Sequence, residues 1–481
     1  MKCRLLLNYS IDLVKRTRYV TRGLRFAVSC TVVLLAAVLF IYPAIIIGTL
    51  VIDSHLQQTG ESRLVPGWFN SAAGRYLSWA NTYLGTNYAK SLHDNEIAAT
   101  EWPIFGSAFF LVTAEDLQSR GLIDATHGTN GEAVEKAAQI VASPVTATWV
   151  KNKWGDRYLE KENVFYRMLL ILGLSSYEKT TGNTQYRGLL SQQLSTLAAE
   201  LAEAKLHLRD DYPSECYPAD MLWAVAAIQR AGRLEDKRYD ALAKNLMASF
   251  DGPVKAAQGL PAFQADARTG ELLQGARGCS NSGILLFAAE LDPAVARRWY
   301  DAYEKKFWKD TGWIAGFTEL PRGSGGHFAD VDSGPVLFEF GSVASAFGIG
   351  AAKAVGRFDR AAPLTMQVVA CSWPTPFGFL VPGIMGRAAA GSWSLGEVAL
   401  LFSMTRPTAA AVTIPGDGHV PWIVWTLLAI FAGTGTFLIW FETRSWRGLF
   451  FGKKQEAARD LGQSRCRRRI SSGWWLGANE W

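Results

Sequence analysis

Two long stretches of the chain contain no charged residue. Residues 26–52 and residues 420–441 are both uncharged, and each is longer than the about 20 residues that a helix needs to cross a bilayer. Both are expected to be helical, because backbone groups inside a bilayer must hydrogen-bond to one another. Trp422, Trp425 and Trp440 lie near the ends of the second stretch. Trp favours the membrane interface, so we predict a second transmembrane helix here rather than a buried core helix.

Between these stretches, residues 53–419 show apolar positions that recur mainly with helical spacing. The pattern predicts helices at 71–90, 95–119, 131–150, 161–181, 184–207, 217–232, 236–250, 280–291, 293–309, 336–356, 358–371 and 393–404. Helix 236–250 is amphipathic, whereas 221–228, 282–290 and 343–352 are apolar on nearly every side and must be buried on every side. Alternation of the two kinds predicts an all-α fold, an (α/α)6 toroid with an inner and an outer ring. An irregular bundle or an open solenoid is the alternative.

Two segments break the helical pattern. Residues 259–278 alternate in polarity around Thr269-Gly270, which predicts a β-hairpin. Residues 312–332 are expected to form a second hairpin or a long loop. Gly334-Pro335 is then expected to lead directly into helix 336–356, whose small residues would allow close packing at the centre of the ring.

The charge distribution predicts the orientation in the membrane. The 481 residues carry a net charge of +6. Residues 1–25 hold seven Lys/Arg and one acid, and residues 442–481 hold nine Lys/Arg and four acids, so residues 53–419 are net acidic. Positively charged flanks remain in the cytoplasm. We therefore expect two cytoplasmic tails, two spans and a main domain, residues 53–419, on the periplasmic side of the plasma membrane. The basic run 464–470 indicates contact with anionic lipid rather than nucleic acid.

The cysteines and histidines give little support for disulfides or metals. Of six cysteines, only Cys216, Cys279 and Cys371 lie in the exported region. They allow at most one internal disulfide, so the domain is not a disulfide scaffold. The six His are scattered, and we expect neither a metal nor another cofactor.

Candidate site residues lie where predicted inner helices begin. In a toroid the inner helices run the same way, so their N-terminal ends meet around one funnel, where helix dipoles favour negative charge. Asp220 follows Pro218, which suits a first helical position. Asp220 could simply cap the helix, or it could be a pocket carboxylate beside Tyr217 with Trp223 as an apolar wall.

A second group of candidates lies in the glycine-rich loop before helix 336–356. Asp330 and Asp332 are two residues apart, which places both on one side of an extended loop. Each could bond its own loop backbone, or one could face Asp220 so that two carboxylates divide acid and base duties, as in glycoside hydrolysis. His327, among these acids, would have a raised pKa; an exposed loop histidine is the alternative.

Four further residues are weaker candidates for binding a substrate. Asn163 and Tyr166 begin another inner helix, Cys216 precedes Asp220, and Glu101, within the predicted helix 95–119, could line the same funnel. For Cys216 the alternative is a buried inert thiol, and for Glu101 it is a solvated helix face.

Two segments carry a resemblance to a known family. "ENVFYRMLLILGLSSYEKTTGNTQY" (162–186) and "SECYPADMLWAV" (214–225) resemble linalool dehydratase/isomerase-type domains of the six-hairpin toroid superfamily. In that family an Asn and a Tyr open an inner helix that ends in a similar Tyr-Glu-Lys-x-Thr-Gly turn. The resemblance implies the toroid fold and an acid/base pocket where the inner helices begin. The family uses two cysteines for dehydration; Cys216 matches the first, but 221–229 lacks the second, so dehydration of terpene alcohols does not carry over.

These observations predict a membrane-anchored toroid enzyme that uses carboxylates as acid and base on an exported substrate. The enzyme would be a hydrolase or lyase of carbohydrate, or a lyase or isomerase of an apolar alcohol. The aromatic content, 12% with 18 Trp, suits stacking on sugar rings. The alternative is a non-catalytic glycan-binding or scaffold component of an envelope assembly, with membrane proteins as partners.

Overall fold

The computed structural model describes residues 20–21, 23–86, 89, 97–326, 328–388, 395–444 and 446. The helices are α1 (Gly23–Val51), α2 (Ser54–Thr59), α3 (Val65–Thr86), α4 (Ile97–Thr100), α5 (Trp102–Ser119), α6 (Gly128–Ala142), α7 (Thr148–Trp154), α8 (Val164–Thr181), α9 (Arg187–Glu203), α10 (Pro218–Leu234), α11 (Asp240–Phe250), α12 (Gly278–Leu291), α13 (Pro293–Phe307), α14 (Ser342–Ala354), α15 (Phe358–Cys371), α16 (Leu380–Ala388), α17 (Leu395–Thr405) and α18 (Trp422–Arg444).

Short strands connect some of these helices. They are β1 (Gln264–Ala265), β2 (Leu272–Gln274), β3 (Trp308–Asp310), β4 (Ala315–Phe317), β5 (Val336–Leu337), β6 (Phe340–Gly341), β7 (Pro374–Thr375) and β8 (Gly378–Phe379). Consecutive strands pair as antiparallel hairpins, β1 with β2, β3 with β4, β5 with β6 and β7 with β8. The protein is therefore mostly helical, with small β-hairpins between helices.

The chain divides into two compact units, one formed by Met1–Ile45 with Leu428–Trp481, the other by Ile46–Leu427. The described part of the first unit consists of most of α1 and α18. Both helices are long and apolar enough to cross a membrane. Within this unit the ring N–H of Trp446 donates to the hydroxyl of Ser29 at 2.7 Å, and the hydroxyl of Ser29 contacts the carboxylate of Glu442.

In the second unit, six helices are buried most deeply, and each packs against two others of the set. The neighbouring pairs are α5 with α8, α8 with α10, α10 with α12, α12 with α14, α14 with α17, and α17 with α5. Helix α8 is buried at every position from Val164 to Glu178. Helix α13, which packs on α12, buries one stripe that begins at Val295 and ends at Phe307. Fully and partly buried helices thus alternate along the chain.

Aromatic rings fill the space between the six buried helices. The rings of Phe109 on α5 and Phe402 on α17 stack with centroids 4.2 Å apart. Trp223 on α10 packs against both rings at 5.7 and 6.2 Å. Small residues let α14 approach this core. A Cβ on Gly350 would stand 2.5 Å from Leu286, which confirms the close packing expected of its small-residue stretch.

A buried ion network joins the ends of these helices that lie away from their N-termini. Arg406, which follows α17 and is fully buried, donates to Asp116 on α5 at 3.2 Å and contacts Glu290 on α12. Arg230 on α10 pairs with Glu290 at 3.2 Å and with Glu115 on α5 at 2.5 Å. Each buried carboxylate of this group therefore has a cationic partner.

The pKa of Glu115 shows the strength of this pairing. Burial alone would raise it, but Arg230 and Lys179 together lower it to about 2. The hydroxyl of Ser176 on α8 donates to the same carboxylate at 2.6 Å. The network thus connects α5, α8, α10 and α12 with the segment after α17.

Most predicted helices of the second unit are confirmed within a few residues. The predicted range 358–371 coincides with α15, and 217–232 differs from α10 by one residue at its start. The hairpin predicted in 259–278 is also confirmed, with Gln264 opposite Gln274 and Gly270 at a positive φ of 79°.

The predicted start of helix 336–356 is wrong. Residues 336–341 form the hairpin β5–β6, so Gly334-Pro335 leads into a strand and α14 begins only at Ser342. Phe338 and Glu339 both have positive φ, 53° and 76°. Two such residues between strands make a tight hairpin turn and cannot continue a helix.

Two other boundaries also differ. The second hairpin lies at 308–317 rather than within 312–332, because residues 308–310 leave the predicted helix 293–309 and pair with β4. The predicted helix 131–150 divides into α6 and α7. Pro144 follows Ser143, and a residue before proline is disfavoured in helical conformation.

Replacing Arg406 by Met should strongly destabilise the protein. The change leaves Asp116 and Glu290 with less positive charge in a buried site, which typically costs about 3–5 kcal/mol. Urea unfolding of the full chain in detergent measures the loss. Arg238→Met is the matched control, because the Arg238 side chain is 86% exposed and its ion pair should contribute less than about 1 kcal/mol. Equal stabilities of the two variants would contradict a supporting role for the network.

Candidate functional site

Asp220 lies in the first turn of α10, after Pro218. Its carboxylate would be favoured there in the charged form by the helix dipole. Nevertheless its pKa is raised well above 3.8, first because of burial and then because of the charges of Asp332 and Glu101. Among the described residues, no hydrogen bond and no cation offsets this effect. Asp220 therefore keeps its proton far more readily than an ordinary Asp.

Glu101 is the residue immediately before α5, and its side chain does not cap that helix. Its pKa is raised to about 7, mainly by burial and further by the charges of Asp332 and Glu215. A hydrogen bond from the Tyr212 hydroxyl and the charge of Lys153 act in the opposite direction. At neutral pH this carboxyl group is accordingly present in both protonation states.

Asp330 forms the turn of its own loop. Its carboxylate accepts hydrogen bonds from the backbone N–H groups of Asp332 and Ser333 at 3.1 and 2.9 Å. It also receives two bonds from the guanidinium of Arg277, at 2.8 and 3.0 Å. Burial alone would raise the pKa of Asp330, but the bonds from Arg277 and the loop lower it. Asp330 thus stays ionised and holds the loop.

Asp332 is the member of this loop whose charge acts on the other carboxyl groups. Its pKa is raised, first by burial and then by the charge of Asp330, with Arg277 opposing. Its own charge raises the pKa of Asp220 and of Glu101. Asp332 nevertheless keeps an exposed surface. Asp332 thus combines a raised pKa with access to water.

Arg277, the residue immediately before α12, anchors the loop. Its Nε donates to Glu319 at 2.8 Å, in addition to the two bonds to Asp330. The guanidinium lies between the rings of Phe263 and Phe328, 4.2 and 4.5 Å from their centroids. The thiol of Cys279 donates to Glu319 at 3.2 Å. Because burial and the charge of Glu319 raise its pKa well above 9.0, Cys279 remains a thiol rather than a thiolate.

Asp211 lies fully buried in the loop that leads to α10. One carboxyl oxygen accepts the backbone N–H of Tyr217 at 2.6 Å, whereas the other has no partner among the described residues. The pKa of Asp211 is raised well above 3.8 by burial and then by the charge of Asp220. Asp211 therefore also keeps its proton more readily than an ordinary Asp. We call Glu101, Asp211, Asp220 and Asp332 the carboxyl cluster.

Tyr217 and Cys216 border this cluster. The Tyr217 hydroxyl donates to Glu215 at 2.8 Å, and its ring packs on that of Phe263 at 5.2 Å. Cys216 is buried, and its carbonyl accepts the N–H of Ala265 at 3.1 Å. Burial, followed by the charge of Asp211, raises the pKa of the Cys216 thiol, so it too is uncharged.

Trp223 belongs to the aromatic core rather than to the open site. It is 4% exposed, and its ring N–H donates to the carbonyl of Gly283 at 2.8 Å. Its ring contacts those of Phe105, Phe109, Phe287, Phe347 and Phe402. Trp223 thus lies one turn after Asp220 on α10, within the aromatic core.

Asn163 and Tyr166 have packing partners at the start of α8. The Asn163 amide donates to the carbonyl of Tyr158 at 2.9 Å, and Asn163 has a left-handed φ of 52°. Tyr166 is buried, and its ring packs edge-on against those of Trp149 and Tyr158. His327, the remaining sequence candidate, lies outside the described residues.

The structure therefore brings Asp220, Asp332 and Glu101 into one electrostatic group, with Tyr217 and Cys216 beside it. Sequence reasoning missed several residues of the same site, namely Asp211, Tyr212, Arg277 and Glu319. Two signals could have found some of them. Asp211 and Tyr212 lie within ten positions of Asp220, and Arg277 directly precedes a helix that is buried all round.

Among the described residues, no group of three or more His, Cys, Asp and Glu side chains has the arrangement of a metal site. The chemistry that the cluster can support is proton transfer. It holds several carboxyl groups with raised pKa values, and among them Asp332 is exposed and has Arg277 opposing the rise in its pKa. An acid and a base in one site are the requirement for general acid–base catalysis.

Comparison of the chain with models of known families and with curated proteins finds no match.

The replacement Glu101→Gln should make stability less dependent on pH. The folded pKa is about 7 and the ordinary value 4.5. As the pH rises between these values, the unfolded chain releases the proton first, so the folded state loses stability and the loss is complete above about pH 7. The variant avoids this loss and should exceed the native protein by roughly 1–3 kcal/mol at pH 8, but not at pH 4.

Urea unfolding at both pH values measures the difference. Glu160→Gln is the control, because Glu160 is exposed and pairs only with the exposed Arg157; it should change the stability by less than about 1 kcal/mol at either pH. A Glu101→Gln variant with the native pH dependence would show that Glu101 ionises normally.

Proposed function

We propose that the six deeply buried helices close into a ring, giving the second unit the architecture of an (α/α)6 toroid. The support is the order of packing, since each of these helices contacts the next and α17 contacts α5. The charge of Glu101, directly before α5, raises the pKa of Asp220 at the start of α10, and the charge of Asp332 acts on both and on Cys279 at the start of α12, as expected if the N-terminal ends share one face. The partly buried helices would form the outer ring.

We further propose that α1 and α18 anchor the protein in the plasma membrane, with both termini in the cytoplasm and the second unit exported. Their length and apolar character support the spans. The excess of Lys and Arg in residues 1–25 and 442–481 supports the orientation. Trp422 and Trp440, 64% and 51% exposed, stand near the two ends of α18, where interfacial rings are favoured.

The function that the site supports best is acid–base cleavage of a C–O bond in a neutral substrate. The single observation that carries this proposal is the environment of Asp220. Its carboxyl group stands near Asp332 and Glu101 without a compensating hydrogen bond or cation among the described residues. Structural carboxylates are normally paired, as Glu115 is, whereas strongly perturbed and unpaired ones in an open site are typical of catalysis.

In the proposed reaction Asp220 is the general acid. Its raised pKa keeps the proton at neutral pH, and it donates this proton to the oxygen that leaves when the C–O bond breaks. Asp332 is the general base, because it is exposed to water and Arg277 opposes the rise in its pKa. It accepts a proton from water that attacks the carbon, which gives hydrolysis, or from the neighbouring carbon, which gives elimination. After the reaction Asp332 holds one proton more and Asp220 one proton fewer, and Glu101 and Asp211 relay a proton from Asp332 back to Asp220, which restores both groups.

The surroundings favour a neutral substrate with polar and apolar faces. The carboxyl cluster would repel an anionic substrate. The rings of Tyr212, Tyr217 and Phe263 stand nearby, and aromatic rings pack against both sugar rings and hydrocarbon. Carbohydrates and apolar alcohols, the two substrate classes predicted from the sequence, both meet these conditions.

The variants Asp220→Asn and Asp332→Asn should lose activity by about 10²–10⁴-fold, because each removes one proton-transfer group. The full chain in detergent is first incubated with neutral oligosaccharides and with terpenoid alcohols. Mass spectrometry then detects addition or loss of water. The variant Asp240→Asn is the matched control, since Asp240 also lies in the first turn of a helix but is exposed.

Unchanged turnover in both site variants would exclude the proposed acid and base. Ligand binding without turnover in the native protein would instead support the non-catalytic glycan-binding alternative. Cooperative unfolding of each variant verifies that lost activity does not come from lost folding.

The proposed orientation predicts where the chain can be labelled in intact cells. A cysteine introduced at Leu122, which is 44% exposed, should react with a membrane-impermeant maleimide. A fluorescent protein fused after Trp481 should fold and fluoresce, as it does in the cytoplasm. Labelling of Leu122→Cys only after cell lysis would reverse the orientation.

A further inference from the structure

Large apolar side chains are exposed mainly in the segments that lead into α14 and α17. They are Phe328, Val331, Leu337, Phe338, Phe377, Val381, Ile384 and Met385, all at least 38% exposed. We call these eight residues the apolar rim. Outside these segments, Leu122 and Leu273 are each the one large apolar side chain of their stretch that is exposed to this degree, and Val412 and Ile414 form a smaller pair. Single exposed apolar groups are common, whereas a concentration of them marks an interaction surface.

The rim is carried on projections of the fold. Phe338 is at the tip of hairpin β5–β6 and is 81% exposed, although its φ of 53° is unfavourable for an aromatic residue. Phe377 occupies the tip of hairpin β7–β8 and is 71% exposed. A soluble surface gains nothing from holding two Phe side chains in water at hairpin tips.

Helix α16 continues the rim directly after β8. Its exposed residues Val381, Ile384 and Met385 are three and four positions apart, so they form one stripe along the helix. Phe377 precedes Val381 by four residues. An amphipathic helix with an uncovered apolar stripe is the form that lies in a membrane interface.

The start of α18 indicates what covers the rim. The backbone N–H groups of Trp422 and Ile423 donate to the carbonyls of Gly312 and Trp313, both at 3.0 Å. These carbonyls belong to the turn of hairpin β3–β4. The proposed membrane span thus begins on this hairpin, and the exposed rings of Trp313 and Trp422 mark the level of the membrane interface.

The same hairpin is joined to the rim. Thr318, directly after β4, pairs with Phe340 of β6, and Lys309 of β3 binds Glu339 at 2.6 Å. Trp313 and Thr318 are five positions apart in mostly extended chain, or roughly 17 Å. Hairpin β3–β4 therefore connects the start of α18, at Trp422, with the hairpin that carries Phe338.

We propose that the apolar rim docks on the surface of the lipid bilayer that holds α18. The three separate projections suit insertion between lipid headgroups better than they suit a flat protein interface. The inference rests on the proposed membrane anchoring and is independent of the acid–base chemistry. In the sequence, Asp332 lies between the rim residues Val331 and Leu337. The site would therefore open beside the membrane, and an amphiphilic substrate could reach it directly from the lipid.

Photo-crosslinking of the full chain tests the proposal. Benzoylphenylalanine replaces Phe338, Phe377 or Ile384 in separate variants, which are reconstituted in vesicles of phosphatidylethanolamine and phosphatidylglycerol. After irradiation, mass spectrometry should detect phospholipid adducts at all three positions. Adducts should be several-fold rarer when Leu122 or Leu273 is replaced, because these exposed apolar residues lie outside the rim.

Two results would overturn the proposal. Covalent dimers from the rim variants would assign this face to contact between copies of the chain, and adduct levels equal to those of the controls would show the rim to be in water. Each variant must first unfold cooperatively like the native protein. The crosslinks do not require turnover, so the result stands even if Asp220→Asn shows that the site is not catalytic.

Discussion

The second unit depends on the balance of charge around Arg406. This fully buried guanidinium binds Asp116 and Glu290 and lies over the ring of Phe287. A buried carboxylate without a partner costs several kcal/mol, so Arg406 makes it possible to place acids from α5 and α12 together in the interior. The pairing is specific in direction and position. It links α5, α12 and the segment after α17, in addition to the aromatic packing between these helices.

The opposite ends of the same helices show the reverse arrangement. Glu101 begins α5 and Asp220 begins α10, and their pKa values are raised rather than lowered. Glu115, on the same helix as Asp116, has its pKa lowered to about 2 by nearby cations. One end of the helix set thus has compensated charge, and the other has carboxyl groups that retain protons. Buried carboxyl groups without a compensating cation reduce the stability of the folded state, and proteins typically keep them only where function requires them.

Arg277 connects the fold with this unbalanced site. Its bonds to Glu319 and Asp330 fix the loop, and the charge of Asp332 in this loop raises the pKa of Asp220. The two aspartates of the loop therefore divide the two roles that the sequence left open. Asp330 makes the turn, and the charge of Asp332 acts on the other carboxyl groups. The spacing of two residues could not decide between them, because the decision depends on an arginine more than fifty residues earlier in the chain.

The sequence by itself determined the helical class, most helix boundaries and the two apolar stretches, because these follow from local periodicity and charge. It also indicated Asp220 and Asp332 as candidates. Only the tertiary structure decided the hairpin at 336–341, where contacts with β4 hold Phe338 and Glu339 in left-handed conformation. Only the tertiary structure brought Asp211, Arg277 and Glu319 to the site. Their pKa values and pairing depend on burial and on charges from distant segments, and neither quantity is encoded in the local pattern of residues.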